Sequence, residues 1–248
     1  MTQLPTTKDE AWRYADMDAV KALGVDALER WEEVSVAAGE TWRHCMIVGS
    51  DAPELHRIRL DVAEGGRAEL FVVVAGNDYC RVEVEATLGT GAHFELGGVT
   101  IGGGEAVREI VTRTDHAKPD GTSNQVVRSV HWGQATGNFL GAIHVHRDAQ
   151  RTDAAQDFKG LVLEKGATAN AKPELEIFAD DVKCAHGAAI GQMDEMARYY
   201  MASRGLAPDV AQRLLIRAFI ADSFAALADE SETERLLETA LDRLGERV

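Results

Sequence analysis

The period of hydrophobic and polar positions changes twice along this chain. Over roughly the first 45 residues, Trp12, Tyr14, Val20, Leu23, Leu28 and Trp31 form an apolar stripe at helical spacing. Thr7 and Glu10 have the spacing of a capping box, and Gly24 and Gly39 suit helix ends. Residues 1–45 are therefore expected to be an N-terminal helical segment. From 46 to 190 the texture is different. Short runs alternate or stay apolar: IRLDV, AELFVVVA, CRVEVEA, AHFELGGV, NQVVRSVHW, GAIHVH, GLVLE and ELEIFA. Glycine and asparagine punctuate them, which is the pattern of strands joined by tight turns. No helical stretch of about 10–15 residues separates the runs, which argues against a doubly wound α/β sheet.

Helical spacing returns in the last segment, 191–248. Met196, Tyr200 and Met201 share a stripe, and Gly205 ends that helix. Pro208 suits the first turn of the next helix, behind Ala207 at the cap, and Leu214, Leu215, Ala218, Phe219 and Phe224 line its face. Ser231 and Glu234 are spaced as a capping box for a last helix carrying Leu236, Leu237, Ala240, Leu241 and Leu244.

A weak repeat runs through the strand-like region. Gly-Ala or Gly-Arg-Ala precedes an alternating run at Ala68, Ala92 and Ala167; the first two alanines are 24 positions apart and the third lies 75 further on. A period of roughly 20 to 50 residues is what stacked coils produce, so the pattern predicts a parallel β-helix. A β-sandwich also yields short strands and glycine turns, and the pattern alone leaves it open. Pro119-Asp120-Gly121-Thr122 reads as a turn at a projecting loop.

The charge balance narrows the partners. With 26 basic against 41 acidic residues, the formal net charge is −15. Such a surface repels phosphate backbones and anionic lipid, so neither nucleic acid nor membrane is an expected partner. No apolar run approaches the ~18 residues that a membrane span needs. The three cysteines, Cys45, Cys80 and Cys184, are too far apart to make a disulfide framework, which points to a reducing cytoplasm.

Candidate chemistry concentrates at Cys184 and His186. Two residues apart on an extended strand, they point to one face. Thiolate and imidazole suit iron or zinc, but two ligands do not close a tetrahedral site. A buried cysteine beside a capping histidine is the plainer alternative. If the pair ligates, a half-site finished by a second subunit fits better than a closed site. His144 and His146 share a strand face as well, but nothing in the sequence converges on them, and they read as surface histidines. Asp180-Asp181 reads as a polar turn, and Gly102-Gly103-Gly104 as a tight turn without the lysine of a phosphate loop. No serine sits in a nucleophile elbow. The chain is expected not to be an enzyme.

The run from Lys172 to Glu195, KPELEIFADDVKCAHGAAIGQMDE, resembles the signature of the SufB/SufD family of iron–sulfur cluster assembly proteins, on its SufD side. RGLAPDVAQRLLIRAF, Arg204 to Phe219, and LPTTKDEAWRY, Leu4 to Tyr14, resemble the family too. Ala185 stands where the family has serine, Ala189 where it has threonine, and the 157–160 run departs from its asparagine-containing counterpart. The chain is shorter than most SufD proteins, so fewer coils are expected. The resemblance implies a right-handed parallel β-helix core with flanking helices. It also implies pairing with SufB and a transient iron–sulfur cluster shared at that interface. In that arrangement His186 matches the ligand from the SufD side, and Cys184 matches a family cysteine of less defined role. Docking of the SufC ATPase on the C-terminal helices is implied as well. The segment Ala211 to Ala226 matches best, which makes Arg213, Leu214, Arg217, Phe219 and Ile220 the candidate contacts. A flavin on the whole complex is a further implication. Two rivals stay open: a β-helix polysaccharide-active enzyme, and a homodimeric module that binds SufC without handling clusters.

Overall fold

The alternating runs become strands that stack coil upon coil instead of folding into hairpins. The computed structural model describes residues 4–246; residues 1–3 and 247–248 of the expected terminal segments lie outside the described residues. Twelve strands follow one another: β1 (Glu32–Val36), β2 (Thr41–Val48), β3 (Glu54–Val62), β4 (Arg67–Val74), β5 (Cys80–Leu88), β6 (His93–Gly102), β7 (Val107–His116), β8 (Thr122–His131), β9 (Thr136–Val145), β10 (Asp153–Val162), β11 (Thr168–Ile177) and β12 (Lys183–Gly191). Odd-numbered strands form one six-stranded sheet and even-numbered strands the other, each in chain order. Every pairing is parallel. Each coil contributes one strand to each sheet, and the result is a mainly β fold, a parallel β-helix of six coils.

Alternation explains the core. On β4, Leu70, Val72 and Val74 point inward, and so do Val82, Val84, Ala86 and Leu88 on β5. Stacked residues of this kind make a continuous aliphatic interior, each fully buried side chain contributing about 1.5–3 kcal/mol. Further along, the interior turns partly polar. Thr112 Oγ1 donates to Gln125 Oε1 at 2.6 Å, and His116 Nε2 lies 2.9 Å from Ser123 Oγ.

The corners set the coil length. Gly39, Gly65, Gly91, Asp120 and Arg151 occupy successive turns from the odd to the even sheet, all with φ between 60° and 71°. Their amides bond to the carbonyls of the next coil, as Gly65 N does to Thr90 O at 2.8 Å. A side chain in this conformation costs about 1–2 kcal/mol. At the two non-glycine corners an ion pair offsets the cost, because Arg151 Nε meets Asp120 Oδ1 at 2.5 Å. The Asp120 turn is thus a corner of the coil and not a projecting loop.

Several expectations need correction here. The register advances 26 residues from Glu32 to Ile58 but 32 from Thr136 to Thr168, so the coils lengthen toward the C-terminus. Ala68 and Ala92 enter even strands whereas Ala167 enters the odd strand β11, so the three alanines do not share one phase. Residues 1–45 are not helical throughout, since β1 and the start of β2 lie within them. The polar alternation of β1, Glu-Glu-Val-Ser-Val, hid it. The strand β7 also escaped the sequence runs. Neither capping box forms as expected. Asp16 caps α1 (Met17–Leu23), ahead of the short α2 (Val25–Glu29), and Asp229 caps α5 (Glu230–Asp242) by accepting from Ser231 N and Glu232 N.

Helices cover part of each outer face. The N-terminal segment lays Trp12 over the fully buried Arg81, whose guanidinium carbon lies 3.9 Å from the ring centroid. Arg81 also donates to Ala11 O and pairs with Glu83 and Glu109. At the other end follow α3 (Glu195–Ser203), α4 (Pro208–Ala221) and α5. Ile216, Ile220, Phe224, Leu236 and Leu241 pack against Phe71, Val99 and Val130 on the outer face of the even sheet. Arg128 on β8 is clamped between Asp157 and Asp222, and Ser223 Oγ donates to Gly98 O at 3.0 Å. A Cβ at Gly97 would meet the Ser223 carbonyl, so this close approach requires glycine. Among the described residues, no helix is long and apolar enough to cross a membrane.

Candidate functional site

The last strand carries the thiol and imidazole singled out from the sequence. In β12, Cys184 pairs with Ala154 and His186 with Gln156 on β10. Ala154 and Gln156 are buried, and β10 has no further coil beyond β12 to cover its neighbour. Cys184 and His186 therefore share the inward-facing row of the terminal coil, where the interior opens to solvent. His186 is exposed, and Cys184 is half-buried against Val182 and Leu175. Burial, and secondarily the Asp153 carboxylate, raises the Cys184 thiol above its ordinary pKa. The thiol is not pre-ionised by its surroundings, so a metal would have to displace its proton. All three cysteines are free. Cys80 is fully buried, its pKa pushed up to about 11 by burial. No third metal-ligating side chain joins Cys184 and His186 among the described residues. The pair by itself is an open, two-donor arrangement.

The C-terminal candidates separate by environment. Leu214 is exposed, and Phe219 is half-buried with its ring lining a groove. That groove, about 360 Å³, runs between the end of β12 and α4, with Leu161, Ile190, Met193 and Leu215 as its apolar walls. Arg213 and Arg217 both reach Glu238 on α5, at 2.5 and 2.8 Å, and serve first to bind α4 to α5. Ile220, expected among the partly exposed contacts, is fully buried against the even sheet and offers no surface. The sequence stripe did not reveal the most open apolar surface nearby. α3 has no buried residue, and Met196, Tyr199 and Tyr200 are 75%, 71% and 59% exposed. Val210 and Leu214 of α4 are exposed as well, at 43% and 44%.

A second cluster corrects the reading of His144 and His146 as histidines on which nothing converges. Stacking brings Asp115 of β7 into register with His144 of β9 and Glu176 of β11. Ligand atoms of Asp115, His144 and His146 all lie within 4.8 Å of one another. Their positions in the chain give no hint of this, because the contact arises only once coils of 29 and 32 residues are wound.

The class defined here is a parallel β-helix whose terminal coil presents a thiol and an imidazole on its inner row, with an apolar groove between its last strand and α4. The comparisons place it further. The family model for the SUF system FeS cluster assembly SufBD core domain matches residues 28–219, and the chain belongs to that family. It is 37% identical over 139 residues to the iron–sulfur cluster assembly protein SufD of Escherichia coli, covering 55% of this chain and 32% of that protein. It is 29% identical over 149 residues to SufD of Bacillus subtilis, covering 60% and 34%. A SufBD family protein of Mycobacterium leprae is 30% identical over 176 residues, covering 67% and 45%. The chain thus aligns with less than half the length of each of these relatives. Family membership supports a role in iron–sulfur cluster assembly.

Proposed function

We propose that this chain is a non-catalytic scaffold subunit of a SUF-type assembly complex, pairing with SufB at its open terminal coil and binding the SufC ATPase through α3 and α4. The observation that carries the reading is the incomplete donor set. Cys184 and His186 sit on the last strand, reachable by another polypeptide, with no further ligand beside them among the described residues. A second subunit supplying a thiolate or carboxylate would complete a tetrahedral shell for iron. The backbone edge of β12 pairs with β10 on one side only, and an edge strand of this kind favours strand addition by a partner. His186 would ligate as the neutral imidazole and Cys184 as thiolate. The nascent cluster is cargo shared with SufB. A flavin on the whole complex belongs to the same reading.

The test is co-expression with SufB and SufC, purification of the complex, and measurement of iron and sulfide per complex. With His186→Ala the complex is expected to assemble in normal amount and to hold at least tenfold less cluster. An intact complex with unchanged cluster content removes His186 from the mechanism. Loss of the complex itself would move the residue's role from coordination to pairing.

A further inference from the structure

We propose that Asp115, His144 and His146 form a site for one divalent first-row transition ion on the outer face of the odd sheet, away from Cys184 and His186. The three donors come from two adjacent coils. Asp115 Oδ1 lies 3.2 Å from His144 Nδ1 and 3.9 Å from His146 Nε2. The rings of His144 and His146 are edge to face with centroids 5.5 Å apart, and each presents a nitrogen within 4.8 Å of the other's and of the Asp115 carboxylate.

The decisive atom is His144 Nδ1. It is buried and has no hydrogen-bond partner. The opposite nitrogen, Nε2, lies against Oε2 of Glu176. A carboxylate there accepts from Nε2, so Nδ1 is the nitrogen that faces Asp115. Facing a carboxylate oxygen 3.2 Å away, Nδ1 is satisfied by a second ring proton or by a metal ion, and metal titration separates the two. A carboxylate behind a metal-bound imidazole is also what orients such ligands and raises their basicity. The face of the cluster is shielded by Phe178, whose ring packs edge-on against His144 at 5.6 Å. Arg113 holds the remaining oxygen, Oδ2, of Asp115 at 3.0 Å and also reaches Oδ1 at 3.3 Å. The guanidinium fixes the carboxylate's orientation and competes for its charge.

Two imidazoles and one carboxylate, with a position left for water, suit zinc and its neighbours better than calcium or magnesium, which want more oxygens. Ligand atoms up to 4.8 Å apart must draw together by about an ångström to meet a tetrahedral ion with bonds of about 2 Å. His146, half exposed at the strand end, is free to make that adjustment.

The full chain, stripped with a chelator, would be titrated with Zn²⁺ by calorimetry and with Co²⁺ by absorption. One equivalent is expected to bind saturably, and the cobalt spectrum is expected to lack a thiolate charge-transfer band. His146→Ala, on an exposed side chain, should weaken binding at least tenfold without lowering the metal-free melting temperature. Asp115→Asn should weaken it likewise, and Glu176→Gln by about 10–100-fold. His186→Ala should leave it unchanged, so failure here is distinguishable from failure of the scaffold reading. The proposal is overturned by absence of saturable binding. It is equally overturned by binding that survives His146→Ala and Asp115→Asn, or by a cobalt site that shows thiolate ligation and disappears with His186→Ala.

Discussion

At the scale of single residues, the interior holds titratable groups that a β-helix of aliphatic ladders does not require. His131 is buried between Thr100 Oγ1 and the Gly102 carbonyl, each 3.1 Å from a ring nitrogen. Burial, reinforced by the nearby Arg108 charge, lowers its pKa to about 3. Burial likewise lowers His116 to about 4. In the unfolded chain both rings titrate near 6.5. Between about pH 6.5 and 4 the unfolded state therefore binds more protons than the folded one, and stability must fall as the pH drops. The expected loss approaches about 1.4 kcal/mol per pH unit for each histidine below pH 6. Urea unfolding at pH 7, 6 and 5 would measure it, above the range where most carboxylates titrate. His131→Asn should be less stable at pH 7 but show roughly half the pH slope. A flat profile from pH 6.5 to 5 would mean that these rings are protonated or hydrated in the fold. Neither histidine's burial was legible in the sequence, where His131 is one polar letter in a strand run. Arg81 was hidden for the same reason. An arginine in an alternating run reads as a solvent-facing residue, yet Trp12 and Glu109, 69 and 28 positions away, enclose it. Such placement depends on what lands on a strand's outer face, and the strand's own pattern does not encode that.

Element by element, the sequence was a better guide to what a segment is than to which way it faces. The strand runs, the Pro208 start of α4 and the Gly65 and Gly91 turns were visible, because each follows from local backbone preference, whereas Gly39, expected at a helix end, turns the chain from β1 into β2. The orientation of the helices was not. A stripe of apolar residues marks a face that wants burial, and the same stripe serves the molecule's own core or a partner. In α4 it does both: Ile216 and Ile220 point to the even sheet, while Val210 and Leu214 remain open. Two substitutions separate the roles. Ile220→Ala should destabilise the chain by about 2–5 kcal/mol through the cavity it leaves, whatever its partners. Leu214→Glu should change stability by less than about 0.5 kcal/mol, as surface substitutions do. In the scaffold reading it should nonetheless abolish co-purification with SufC, and Tyr199→Ala on α3 should weaken it. If Leu214→Glu retains SufC at wild-type levels, the docking surface lies elsewhere than on the exposed faces of α3 and α4.

For the whole molecule, the architecture makes stability a local quantity. Each coil touches its neighbours along the stack, so a coil's protection depends on being covered on both sides. The middle of the stack has that cover: nine of the ten residues of β6 are buried. The end does not, since β12 has no buried residue and β11 none either. The strand runs pointed to the stack but not to this gradient, because the run in β11 reads like those of the interior strands. The same exposure that makes the terminal coil available to a partner must leave it prone to opening. Hydrogen exchange on the isolated chain should therefore show peptides from β11 and β12 exchanging much faster than those from β4 to β8, at an opening free energy well below the global one. In the scaffold reading, adding SufB should slow exchange in β12 while leaving β4 to β8 untouched, since those strands are already covered on both sides. Protection that appears instead along β1 and β2 would place the partner at the opposite end of the stack, far from Cys184 and His186. Uniform protection in the isolated chain would show that the last coil is held by something other than its neighbours, and an edge so secured has no need of a second subunit.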